Sequence, residues 1–187
     1  MTIESGVEVY AARWLIVMLI SIAAAISDIR TRRVPNWLTL PALFAGVAGS
    51  VFWAGTAGPL WAIAGATIVA LPAFVLFVFA GGGAGDVKLL GALGSWLAFR
   101  DVIVVVICVA VASVICGLLW ALLHRHAAKL LSNMTRIAKG YMVAMFSRNM
   151  RDALVFIPDR TEMQTMPYCV PIFVGMCLAA TERWLWQ

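Results

Sequence analysis

A chain of 187 residues has room for one domain of ordinary size. Its composition is 63% hydrophobic and 12% charged, with a mean hydropathy of +0.95; a typical globular domain is roughly 25% charged. That excludes a soluble or disordered protein and marks a polytopic membrane protein. The net charge of +5 is accounted for by membrane topology and anionic lipid, so nucleic acid is not implied as a partner.

Six apolar stretches approach the roughly 20 residues that a membrane span needs: 11–27, 37–53, 60–80, 87–99, 102–123 and 168–186. The expected fold is therefore an all-α polytopic integral membrane protein of about six transmembrane helices, forming one membrane-embedded domain over 1–187. The first stretch does not read as a cleaved signal peptide, because no basic run precedes it and an Arg-rich sequence follows it. Gly55-Thr56-Ala57-Gly58-Pro59 reads as a tight outer turn, and Pro72 predicts a kink in the third span. The fourth stretch is short and reads as tilted or partly re-entrant.

Between the fifth and sixth stretches, 124–167 holds Leu130, Leu131, Met134, Ile137, Tyr141, Met142, Met145 and Phe146 at three- and four-residue steps. Lys129, Arg136, Lys139 and Arg148 fall mostly off that stripe, which predicts a basic amphipathic helix in the headgroup layer. His124 and His126 would not share a helical face, and no metal site is expected. Cys108, Cys116, Cys169 and Cys177 lie in or beside apolar stretches without a C-x-x-C pair, so they read as core packing.

The charges orient the chain. With the N-terminus outside, every basic residue except Arg13, Arg100 and Arg183 falls in or beside the loops after spans 1, 3 and 5. Those loops then face the cytoplasm by the positive-inside rule.

Two aspartates stand on that same face. Asp28 follows the apolar run 14–26 and opens Asp28-Ile29-Arg30-Thr31-Arg32-Arg33-Val34-Pro35-Asn36, whereas Asp86 ends Gly81-Gly82-Gly83-Ala84-Gly85-Asp86 between two apolar stretches. A carboxylate at the end of a span is unfavourable unless it faces protein or water, which makes each a functional candidate. Purely structural readings exist for both. Asp86 could cap the helix that follows it, and Asp28 could neutralise Arg30, Arg32 or Arg33. An anion at a helix C-terminus opposes the helix dipole, however, which favours function for Asp28. Pro35 and Asn36 suit the start of span 2, with Asn36 as its cap. Gly83 and Gly85 allow a mobile break beside Asp86 and close approach of a substrate backbone. If the carboxylates meet, they share a proton, and the pair can activate water while polarising a carbonyl.

These residues resemble the type IV prepilin peptidases, a family of membrane-embedded aspartyl proteases. The resemblance rests on Asp28 seven residues ahead of Pro35-Asn36-Trp37-Leu38-Thr39, on Gly83-x-Gly85-Asp86-Val87-Lys88-Leu89 with Gly91-Ala92-Leu93-Gly94 behind it, and more weakly on Pro167-Tyr168-Cys169-Val170-Pro171. It looks most like the small branch serving Flp-type pili and tight-adherence systems. The resemblance implies cleavage of a prepilin leader after a glycine, at the cytoplasmic face of a bacterial inner membrane. It makes Asp28 and Asp86 the catalytic pair, Gly83 and Gly85 the loop, Lys88 an electrostatic helper, Pro35 and Asn36 supports, and Pro167 and Tyr168 lining of the site. Its partners are the prepilin precursor and anionic lipid of the cytoplasmic leaflet; a homodimer is left open, and no cofactor is implied.

The chain departs from the family in two respects. It lacks the paired C-x-x-C module of larger, N-methylating members, which argues against methylation. In the third motif, Cys169 and Pro171 stand where the small branch usually has Gly and Ala, and Pro171 is expected to kink span 6.

Three other readings compete. The presenilin and signal-peptide-peptidase group also uses Gly-x-Gly-Asp, but with Tyr before the first aspartate, where Ser27 stands here. A small proton- or cation-coupled transporter would place its ionisable residues near the midplane and show repeats. A structural subunit of a secretion assembly would use the aspartates only to pair with arginines.

Overall fold

The computed structural model describes residues 3–80, 83–123, 135 and 168–185. Among them the chain is all helix and turn. In order, α1 is Ile3–Thr31, α2 is Asn36–Ala54, a 3-10 turn is Gly55–Ala57, α3 is Gly58–Ala80, α4 is Ala84–Gly94, α5 is Phe99–Leu123 and α6 is Cys169–Leu185. The expected amphipathic segment 124–167 lies outside the described residues except for Thr135.

Among the described residues, three stretches are long and apolar enough to cross a membrane: Val7–Thr31, Asn36–Val78 and Phe99–Trp120. The second joins α2 and α3 through the 3-10 turn. There Gly55 takes φ +64° and ψ −153°, a conformation only glycine adopts readily, as the expected tight turn requires. Six crossings are not reached by this measure. α4 has 11 residues, about 16 Å at 1.5 Å per residue, roughly half a hydrocarbon core. α3 continues through Pro72.

Side-chain contacts fix the direction of the helices. At one end of the bundle, Cys169 at the start of α6 meets Asp28 near the end of α1 and Asp86 in the first turn of α4. Asn36 at the start of α2 meets Lys88 of α4 at the same end. At the other end, Asp101 at the start of α5 accepts a hydrogen bond from Tyr10 Oη of α1 at 3.2 Å and pairs with Arg183 Nε of α6 at 2.9 Å. Arg13 Nε donates to the Trp96 carbonyl at 2.7 Å, and its guanidinium lies 5.0 Å from the centre of the Trp53 ring. Successive helices therefore alternate in direction.

The buried residues form stripes with helical spacing: Trp14, Val17, Ser21, Ala24 and Asp28 on α1; Leu89, Leu90 and Leu93 on α4; Cys169, Ile172, Met176 and Ala179 on α6. Small residues let the backbones touch. A Cβ on Gly94 would lie 2.6 Å from the Gly65 carbonyl oxygen, and one on Gly175 would lie 2.5 Å from Val109 Cα. The outward faces carry Leu15, Leu19, Ile103, Ile107 and Val114, apolar surface of the kind that lipid covers.

Pro171 does not kink α6. It is the third residue of the helix, in the first turn, where the missing N–H has no helical partner to lose, and its ring is fully buried.

Candidate active site

Asp28 lies on the buried stripe of α1, one turn from the helix end. Its side chain is 7% exposed, so it points into the bundle rather than into the arginine-rich loop. That loop is folded back by its own hydroxyls. Ser27 Oγ donates to the Arg33 carbonyl at 3.1 Å, and Thr31 Oγ1 donates to the Ser27 and Arg33 carbonyls. Arg32 takes φ +51°, the left-handed turn that commonly ends a helix. The chain then enters Pro35, which is extended and forms the N-cap of α2.

Asp86 arrives from the other side. Gly83, extended, is the N-cap of α4, and Asp86 is the third helical residue. Asp86 does not occupy the cap position, which is Gly83, and its Oδ1 accepts from Cys169 of α6. The carboxylate is turned instead toward α1 and α6. A Cβ on Gly83 would lie 2.8 Å from Asp86 Oδ2, so a side chain there would displace the carboxylate. A Cβ on Gly85 would lie 3.1 Å from Val34 Cγ2, which keeps the 31–35 loop close against α4. Gly81 and Gly82 lie outside the described residues.

The first turn of α6 joins the two carboxylates. The Cys169 backbone N–H donates to Asp28 Oδ2 at 3.0 Å, and the Cys169 thiol donates to Asp86 Oδ1 at 3.8 Å. Burial, and then the neighbouring Asp28 carboxylate, push Asp86 up to about 6, and the thiol hydrogen bond opposes them. The helix dipole at this N-terminal position also favours the anion, yet burial prevails. The site thus holds two carboxylates within electrostatic reach, one of them ready to carry a proton near neutral pH. Such a pair can take a proton from water while lending one to a carbonyl.

The remaining expected residues divide. Lys88 Nζ donates to Asn36 Oδ1 at 3.1 Å, tying α4 to α2. Asn36 therefore does not cap α2; the cap position is Pro35, and the amide serves the lysine instead. Tyr168 is 42% exposed beside Cys169 and within electrostatic reach of Asp86, while Pro167 lies outside the described residues. Cys169 was expected to be core packing. It is fully buried, as that reading required, but its polar atoms face both aspartates. The signal for it was its place at the head of the buried stripe of α6. Among the described residues no three His, Cys, Asp or Glu side chains gather as a metal set.

Residues 15–148 match the sequence model of the type IV leader peptidase family, a span that includes both aspartates and the glycine loop. No curated protein and no solved structure matches the chain.

Proposed function

This chain belongs to the type IV leader peptidase family, whose members are proteases, and we propose that it removes the basic leader of Flp-type prepilins by means of an Asp28–Asp86 dyad. The observation that carries the proposal is the convergence of these two carboxylates on one residue of α6, from helices far apart in sequence. Neither carboxylate occupies a helix N-cap position, and each faces the bundle from near a helix end.

In the reaction the ionised carboxylate takes a proton from water as the oxygen attacks the carbonyl carbon of the scissile bond. The protonated carboxyl group donates to the carbonyl oxygen and stabilises the tetrahedral intermediate. Collapse breaks the C–N bond, and the proton gained by the base passes to the leaving nitrogen. The proton is available from Asp86, which burial and the facing carboxylate push up to about 6. Lys88, held by Asn36, places positive charge at the start of α4. The distribution of the basic residues supports a site at the cytoplasmic face of the inner membrane.

The test is reconstitution in lipid vesicles with a short pilin precursor carrying a basic leader and a glycine before its apolar helix. Mass spectrometry should find a product beginning after that glycine with the wild type, and none with Asp28→Asn or Asp86→Asn. Normal cleavage by either variant would sink the dyad. No cleavage of several pilins by the wild type would favour a transport or assembly role. An added methyl group on the new terminus would overturn the expectation of peptidase activity alone.

A further inference from the structure

Cys169 is the one residue in the described site with hydrogen bonds to both carboxylates, and the reaction above makes no use of it. It is the first residue of α6 and fully buried, as are Pro171, Ile172 and Met176 in the turns that follow. Its two donors point different ways, the backbone N–H at Asp28 Oδ2 and the thiol at Asp86 Oδ1. The two aspartates come from separate helices, and contacts between α1 and α4 are sparse beside those of α1 with α6 and of α4 with α2 and α3. The first turn of α6 therefore supplies the tie that α1 and α4 lack.

We propose that Cys169 is a positioning residue of the dyad, its amide fixing Asp28 and its thiol turning the Asp86 carboxylate to face it. The proposal rests on the reading of Asp28 and Asp86 as the reacting pair. It separates two jobs within one residue. The amide bond to Asp28 survives any side-chain replacement except proline, whereas the bond to Asp86 depends on the thiol. Cys169→Ala therefore frees one carboxylate and leaves the other held. Cys169→Ser keeps a donor of similar size, and an O–H is a stronger donor than an S–H.

The direction of the effect follows from what faces Asp86. Asp28 comes from α1, Tyr168 and Cys169 come from α6, and Lys88 on its own helix is engaged by Asn36. Of these, the thiol is a neutral donor that favours the ionised form. Removing it raises the pH at which Asp86 loses its proton, and a hydroxyl lowers that pH.

The experiment uses the full chain in lipid vesicles with aspartate carboxyl carbons labelled, and follows the titration by NMR alongside cleavage kinetics. The expected result for Cys169→Ala is an upward shift of about 0.5 pH unit, a roughly threefold change in proton affinity. With it kcat should fall several-fold at constant KM. Cys169→Ser should shift the titration the other way and restore kcat. An unshifted titration in both variants would overturn the proposal even where cleavage is normal, and would leave Cys169 as filler. A change in KM alone would also overturn it, as a contact with substrate. Should Cys169→Ala not fold, the downward shift in Cys169→Ser decides. Failure of the dyad itself would show separately, as cleavage that survives Asp86→Asn.

Discussion

Replacing Asp86 by asparagine should inactivate the protein and at the same time stabilise it. Burial and the facing carboxylate raise Asp86 from 3.8 to about 6. In the unfolded chain this carboxyl ionises near pH 4, whereas in the folded protein it keeps its proton until about pH 6. Folding stability is therefore unaffected below pH 4, declines as pH climbs from about 4 to 6, and stays diminished above that. A shift of roughly two units at 1.36 kcal/mol each sets a ceiling of about 3 kcal/mol. Asp86 is only partly buried, so water screens some of this, leaving about 1–2 kcal/mol. Asparagine has nearly the same shape, can still accept from the Cys169 thiol and carries no charge. For a chain of this length, about 2–4 °C of melting temperature per kcal/mol gives a gain of about 2–8 °C at pH 7.5. Tryptophan fluorescence in detergent micelles from pH 4 to 8 would read it, with eight tryptophans as reporters. The variant and the wild type should melt together at pH 4 and separate by pH 6.5. A variant less stable than wild type at pH 7.5, or a gap that does not change with pH, would refute the reasoning.

Lys88→Ala should slow cleavage several-fold without abolishing it in the vesicle assay, since the ammonium braces α4 against α2 at Asn36; an unchanged rate would reduce Lys88 to a topology charge. Gly175→Ala would set a Cβ 2.5 Å from Val109 Cα and 2.8 Å from its backbone nitrogen. Backbone cannot step aside as a side chain can, so α5 and α6 must separate, at about 1–3 kcal/mol. A fall in melting temperature would register that loss, and an unaltered melt would show that the contact is looser than the geometry implies.

The two carboxylates of the candidate site, Asp28 and Asp86, stand out in the sequence because charge is conspicuous among apolar residues. The four long apolar stretches that became α1, α2, α3 and α5 were legible for the same reason. What escaped depended on register or on distant partners. Cys169 looks like any thiol in an apolar stretch. Only the starting point of α6 puts it at the head of the stripe Cys169, Ile172, Met176 and Ala179, facing the carboxylates. Pro171, expected as a kink, is an ordinary first-turn proline of α6, where no helical hydrogen bond is lost. Asn36 has the local chemistry of a cap, but its partner, Lys88, lies 52 residues away. Arg13 and Arg183 read as stray charges on the outer face. In the fold they belong to the contacts around Trp96 and Asp101, links that no local pattern announces.

Those links bear on how Asp28 is held. Tyr10 and Arg183 both bind Asp101, so α1 and α6 are pinned together at the end remote from the aspartates. From Tyr10 to Asp28 is a lever arm of about 27 Å at 1.5 Å per residue. A tilt of about 5° around that pivot would swing the Asp28 carboxylate by about 2 Å, enough to break its 3.0 Å bond to the Cys169 amide. α1 and α6 are thus fastened near both ends, at Asp101 by Tyr10 and Arg183 and at Asp28 by the amide of Cys169, so the remote ion pair helps to keep the Asp28 carboxylate in register.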